Sequence, residues 1–358
     1  MRWPLHETLQ LVEPSIPLFL VSAQAFAHIK QLAQQLPAGL SSYYLECRLA
    51  AEADQVDFLA CAATPEGGRE LLAGQNEPFP AHLLDVPPWR RVHHFCRQWA
   101  APASALHARV PLVWFEFDHA ESVPSALPCP SFCFCLDSTY LQRGPWSQRH
   151  PSQGDNQDKG LAKSGLQLLL DAPLPQQHEH VFDTCFDALP EGGRIIHISA
   201  MIARQPSMVK LYGVVPTAQL VPYLTRIGWP GSFHELAAIM ANFCTADTGD
   251  CNTYLDLSLG ASVSPRLGIA FAQQQIEQLP GQDPTRRALL DLCVHHGLCT
   301  PEKRDALVNW PGRFRAVFRG DALPTRFRKW LDIKLVYQPG QPLEAKSYLG
   351  FMPYFSLF

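Results

Sequence analysis

The sequence has no excess of positive charge. Its 358 residues hold 29 Lys and Arg against 33 Asp and Glu, a formal net charge of -4, so the basic stripe of a nucleic-acid binder is missing. No run of about 18 uncharged apolar residues is present, which excludes a membrane-spanning helix. No secretory leader is expected either. The opening MRWPLHETLQLVEPSIPLFLVS carries Glu7 and Glu13, and Pro14 and Pro17 break its short apolar run. A cytoplasmic protein with no nucleic-acid partner and no membrane span is the expectation. The eleven cysteines are odd in number and form no CxxC pair, so they read as reduced thiols buried as small apolar residues. Cys133 and Cys135 share a strand face, but that offers two donors where a zinc site needs three or four. The groups His93-His94, His178-Glu179-His180 and His295-His296 lack helical metal-ligand spacing and read as surface histidines.

What is present is a large apolar fraction, 47%, enough for a sizeable core in one domain spanning 1–358. Thirty-two prolines punctuate it. Five places read as pairs of adjacent strands: SSYYLECRLA with QVDFLACAAT, RVPLVWFEFD with SFCFCLD, IIHISAMIA with SMVKLYGVV, TYLDLSLG with PRLGIAF, and DIKLVY with EAKSYLGF. Helical patterns precede and separate them, several opened by Ser or Thr as candidate caps. The order helix, strand, strand, helix therefore recurs five times, without evident identity between the repeats. GPWSQRHPSQGDNQDKGLAKSG, residues 144–165, is polar and apolar-poor and reads as a mobile surface insertion.

Each strand alternates. Tyr43, Leu45 and Cys47 oppose Tyr44, Glu46 and Arg48. Val113, Phe115 and Phe117 oppose Trp114, Glu116 and Asp118, and Phe132 and Phe134 oppose Cys133, Cys135 and Asp137. Ile196 and Ile198 oppose His197 and Ser199, and Val209 and Leu211 oppose Lys210 and Tyr212. Leu255 and Leu257 oppose Tyr254 and Asp256, Leu267 and Ile269 oppose Arg266, Ile333 and Leu335 oppose Lys334, and Lys346 shares a face with Tyr348. The polar face mixes aromatics with both signs of charge, unlike an ordinary solvated face. Ten such strands predict an α+β fold: a closed, antiparallel ten-stranded barrel of five αββα repeats, surrounded by helices. A barrel of that size is wide enough to keep a lumen, and closure removes its edges.

Two of the hairpins carry Lys-x-Tyr on their second strand, VKLYG at Lys210 and Tyr212 and AKSYLGF at Lys346 and Tyr348. Together with the five-fold element order and, weakly, YLECRLA, they make the chain resemble the soluble αββα aromatic prenyltransferases over nearly its whole length. The resemblance implies a lumen holding an allylic isoprenyl diphosphate donor and an aromatic or otherwise nucleophilic acceptor, either a small molecule or a peptide side chain. It implies that Arg48, Lys210, Arg266, Lys334 and Lys346 bind the diphosphate. Tyr212, Tyr254 and Tyr348 would shield the allyl cation, and Glu46 would take the acceptor's proton. Tyr44, Trp114, Glu116 and His197 are left to line the acceptor pocket. The physics suits such a pairing, because ionisation yields an anion that fixed cations stabilise and a cation that aromatic faces stabilise.

The chain departs from the family at SFCFCLD, which has no cation, and at RLGIAF, which has the arginine without the tyrosine. Its lumen is also expected to be acid-rich, through Glu116, Asp118, Asp137 and Asp256. Asp118 and Asp256 are candidate ligands for a Mg2+ bridging the diphosphate, and the same acids suit a cationic acceptor. No DDxxD motif occurs, which excludes an all-helical isoprenyl synthase. The fifth hairpin lies next to FMPYFSLF, so no long lid is expected there, which would leave room for a peptide acceptor. Two rival readings stand beside transfer of a prenyl group: a non-catalytic barrel binding a peptide or metabolite, and an enzyme of this fold using the acids with a metal.

Overall fold

The computed structural model describes residues 3–51, 55–118, 129–138, 140, 156–204, 208–244, 252–271, 281 and 283–354. The expected turns at 52–54 and 205–206, residues 144–155 of the polar segment, and the last residues of FMPYFSLF lie outside these. Eleven strands form one sheet: β1 (Ser42–Arg48), β2 (Val56–Ala63), β3 (Leu112–Phe117), β4 (Ser131–Cys135), β5 (Arg194–Ala200), β6 (Val209–Pro216), β7 (Asn252–Leu259), β8 (Val263–Phe271), β9 (Gly312–Ala316), β10 (Thr325–Tyr337) and β11 (Glu344–Tyr354). Neighbours pair antiparallel in the order β1 to β8, then β10, then β11, and β11 pairs back onto β1. The ring is thus closed and ten-stranded.

β9 is the addition that the sequence pattern did not predict. β10 runs 13 residues, and its first five pair with β9 on the side where β8 does not reach. Phe314 and Phe327 stack across that pairing at 4.6 Å. Arginines at 313, 315, 326 and 328 surround these two rings, so the segment's apolar content is too low to announce a strand.

The apolar parity faces outward against helices. Tyr43, Leu45, Phe58, Phe115, Phe132, Phe134, Leu211, Leu257 and Leu349 are all buried in one core with residues of the surrounding helices. On the helix Pro87–Ala100, Trp89 stacks on Phe115 at 5.6 Å and Phe95 meets Phe132 at 5.0 Å. Ser232 and Thr300 cap their helices as expected, accepting from the backbone N–H of Glu235 and Lys303. Thr217 does not cap; its hydroxyl pairs with that of Thr253 at 2.9 Å. Residues 156–165 of the polar segment belong to the helix Asn156–Leu170, where Lys163 bonds to Glu179 and Asp183 of the next helix. Charge on that helix's outward side is what made it read as an insertion.

Phe115 fills the gap between the barrel wall and the helix layer, so Phe115→Ala is expected to lower stability by about 3–5 kcal/mol in urea unfolding. A loss below about 1 kcal/mol would mean that this layer is not packed as described.

Candidate active site

The polar parity lines a cavity of about 460 Å³ inside the ring, within the size range of small-molecule sites. Its organisation follows from the registers of β1, β11 and β10. Arg48 lies opposite Lys346, which lies opposite Lys334. One rung on, Glu46, Tyr348 and Asp332 align. On the next rung stand Tyr44, Gly350 and Trp330. The barrel wall thus carries a row of three cations, a row with two carboxylates flanking a tyrosine, and an aromatic row. Gly350 is required there, since a Cβ would sit 2.1 Å from the Trp330 ring.

Like charges on adjacent strands repel, and carboxylates offset them here. Lys346 Nζ donates to Glu46 Oε1 at 2.8 Å, and Arg48 contacts Glu46 at 3.1 Å, Asp57 at 2.8 Å and Glu344 at 3.2 Å. On the far side Asp256 receives Lys334 Nζ at 2.9 Å and lies 3.7 Å from Lys210. Gly268 makes room for that contact, because a Cβ would come within 2.8 Å of Asp256 Cβ and 3.2 Å of the Lys334 side chain. The tyrosine missing from RLGIAF is therefore excluded by crowding. Arg204, in the turn after β5, pairs with Asp118. Burial raises the Glu46 carboxyl, but Lys346, Lys334 and Arg48 outweigh it and hold the group well below the usual carboxylate range. Asp256 is likewise held down by Lys210 and Lys334 against its burial. Lys334 is pushed up despite burial by Asp256 and Glu46, and its ammonium lies 5.1 Å over the Tyr348 ring.

Away from the cations the lumen turns aromatic. Tyr44 lies 5.2 Å from Trp114, 5.3 Å from Trp330 and 5.9 Å from Tyr348, ring to ring. His197 sits between Tyr140 and Tyr212 at 5.1 and 5.7 Å. Burial pushes this imidazole down to about 4 against the pull of Asp137, so it is neutral near pH 7. An apolar cluster of Cys61, Ala63, Leu112, Cys135, Ile196 and Val214 fills the lumen beyond. Ile196 joins it through a bulge between Ile195 and His197, a shift of register the alternation alone does not show.

Nearly every residue expected at the site lines this cavity: Tyr44, Glu46, Arg48, Trp114, Glu116, Asp118, His197, Lys210, Tyr212, Asp256, Arg266, Lys334, Lys346 and Tyr348. Tyr254 does not. It is buried in the apolar cluster and backs Tyr212, with ring centroids 6.2 Å apart. Among the described residues no group of three His, Cys, Asp or Glu converges as a metal site, and Asp118 and Asp256 each hold a cation already. Cys133 lines the cavity, beside the Cys135 of the apolar cluster, and among the described residues no further ligand converges on them.

Asp332, Trp330, Tyr140 and Arg204 were missed. Asp332 was legible in principle, since in DIKLVY it has the parity of Lys334. Tyr44 donates from its hydroxyl to Asp332 Oδ2 at 2.6 Å and accepts from Trp330 Nε1 at 2.6 Å, while Asp332 Oδ1 is buried without a partner among the described residues. Burial raises the carboxyl to about 6, with the Tyr44 bond and the Arg286 and Arg328 charges pulling the other way.

A carboxyl whose folded value is raised contributes stability below its unfolded value and loses it as pH rises through about 6. Asp332→Asn is thus expected to be more stable than wild type at pH 8, by on the order of 3 kcal/mol, with the difference closing below about pH 4. Urea unfolding at pH 4, 6 and 8 measures it, and a difference independent of pH would contradict the assignment. The site has to be read from its own chemistry, since no family model and no curated protein matches the chain.

Proposed function

We propose that the chain is a prenyltransferase built as a five-repeat αββα barrel, moving an isoprenyl group from an allylic diphosphate to a nucleophilic acceptor inside the lumen. The observation that carries this reading is the row Arg48, Lys346 and Lys334 on adjacent strands at one level of the cavity. Three neighbouring cations repel one another and hold their places only through the carboxylates beside them, and arrangements that work against stability collect at functional sites. A diphosphate offers several terminal oxygens and a compact negative charge that would take over these cations from the carboxylates. Lys210 and Arg266 extend the same cationic band around the wall.

In this reading the C–O bond of the donor breaks with its electron pair leaving on the diphosphate. Tyr348, one rung from Lys346, and Tyr212, two residues from Lys210, would face the allyl cation. That division of labour explains why lysine and tyrosine share a strand face twice. The acceptor would lie against Tyr44, Trp114, Glu116 and His197, attack the allyl carbon and lose a proton to a carboxylate. Phenols, indoles and peptide side chains all meet that description. The donor set does not fit a resident Mg2+, because Asp118 and Asp256 are neutralised by Arg204 and by Lys334 and Lys210. No step is therefore routed through a metal.

A second reading has an observation of its own. The lumen lysines and Arg48 are matched by carboxylates, as in a structural ion-pair network, and this favours a barrel that binds a peptide or metabolite without chemistry. Thermal unfolding with dimethylallyl, geranyl and farnesyl diphosphate, each with and without Mg2+, separates the two. A donor at about 100 times its Kd adds roughly 2.7 kcal/mol of stability, and that increment should vanish in Lys334→Ala and Lys346→Ala. No increment with any donor in folded wild type would leave the binding barrel as the better account.

A further inference from the structure

We propose that Asp332 accepts the proton released from the acceptor, a role this places on β10, across β11 from Glu46, and which rests on the transfer reaction proposed above. The geometry begins with the rung that Glu46, Tyr348 and Asp332 share. Two carboxylates stand on either side of one tyrosine, and their surroundings differ in kind. Glu46 is turned to the cations, bonded to Lys346 and touched by Arg48. Asp332 is turned to the aromatic rung, fixed by Tyr44, which Trp330 holds in turn.

Fixing through Oδ2 leaves Oδ1 as a buried oxygen with no donor. The residue is 9% exposed and lines the cavity, so an acceptor N–H or O–H entering among these rings would meet it. A buried acceptor without a partner costs stability, which suits an oxygen kept for a substrate's proton. Among the described residues the charges facing it are Arg286 from the outer helix Pro284–His295 and Arg328 from its own strand, with the tyrosines Tyr44 of β1, Tyr212 of β6, Tyr348 of β11 and Tyr140 around it. Glu46, by contrast, is neutralised by three cations that hold its proton affinity low. Where two carboxyl groups of one site are pushed apart in this way, the higher one is matched to proton transfer near neutral pH.

The step balances without a further reactant. The donor's C–O bond breaks with its electron pair on the diphosphate, the acceptor's heteroatom or ring carbon forms the new bond to the allyl carbon, and the proton it sheds passes to Asp332 Oδ1. The ionised form of Asp332 is the active one, so the rate falls as pH drops below about 6.

The test compares wild type, Asp332→Asn, Asp332→Glu and Glu46→Gln as full chains. Each receives dimethylallyl diphosphate with N-acetyltyrosinamide, N-acetyltryptophanamide or N-acetylhistidinamide as acceptor probe, from pH 5 to 9. Alkylated product is measured, and binding of the unreactive dimethylallyl S-thiolodiphosphate is followed by thermal shift. The expected result is a loss of about 100-fold or more in turnover for Asp332→Asn. Its donor-induced shift should be unchanged, the acidic limb near pH 6 should be gone, and turnover should partly return in Asp332→Glu. Glu46→Gln should keep the limb. Turnover of Asp332→Asn within about threefold of wild type, with the limb intact, overturns this role while leaving the transfer reaction standing. A wild type that binds no diphosphate analogue, or binds it and alkylates none of the probes, removes the transfer reaction and this role together.

Discussion

The ladder between β1 and β11 is the pairing on which the rest of the molecule depends. Tyr43 to Arg48 meet Phe351 to Lys346 in one antiparallel register, and this converts a ten-stranded sheet into a ring. Without it the polar parity of every strand would be a wet face, and its mixture of aromatics and paired charges would have no shared interior. With it, the same parity becomes a lumen, and burial changes the worth of every charge in it. The ladder also sets the rungs, so it places Arg48 beside Lys346 and Glu46 beside Tyr348.

Burial makes electrical compensation obligatory. Glu46 and Asp256 each sit between cations contributed by different strands, and the two glycines Gly268 and Gly350 hold the space in which those side chains and Trp330 fit. The charged end and the aromatic end of the lumen are therefore one construction. The proposed donor, with an anionic head and an apolar tail that turns electron-poor on ionisation, would place its head at the charged end and its tail at the aromatic end. The carboxylates that compensate the cations must yield them to such a head, so its arrival would also relieve the hold on Glu46.

Much of this was legible in the sequence, and the reasons are physical. Period-two alternation states which face a residue takes, so Tyr44, Glu46, Arg48, Trp114, Lys210, Tyr212 and Tyr348 were assigned to the interior correctly. Parity does not state depth along the barrel axis, which depends on register; Tyr254 has the right face and lies in the apolar cluster behind Tyr212. The bulge that turns Ile196 inward reverses parity locally and leaves no compositional mark. Asp332 opens DIKLVY, where an acid reads as the flank of a strand that in fact begins seven residues earlier. Arg204 and Tyr140 reach the lumen from outside the strands, where alternation has nothing to say.

The most direct test of the central claim is a crystal structure with dimethylallyl S-thiolodiphosphate bound. The account predicts the diphosphate against Arg48, Lys334 and Lys346, with the allyl carbons between Tyr212 and Tyr348 and pointing toward Tyr44 and Asp332. A diphosphate bound outside the ring, or a lumen that still holds its ion pairs at saturating ligand, would contradict it.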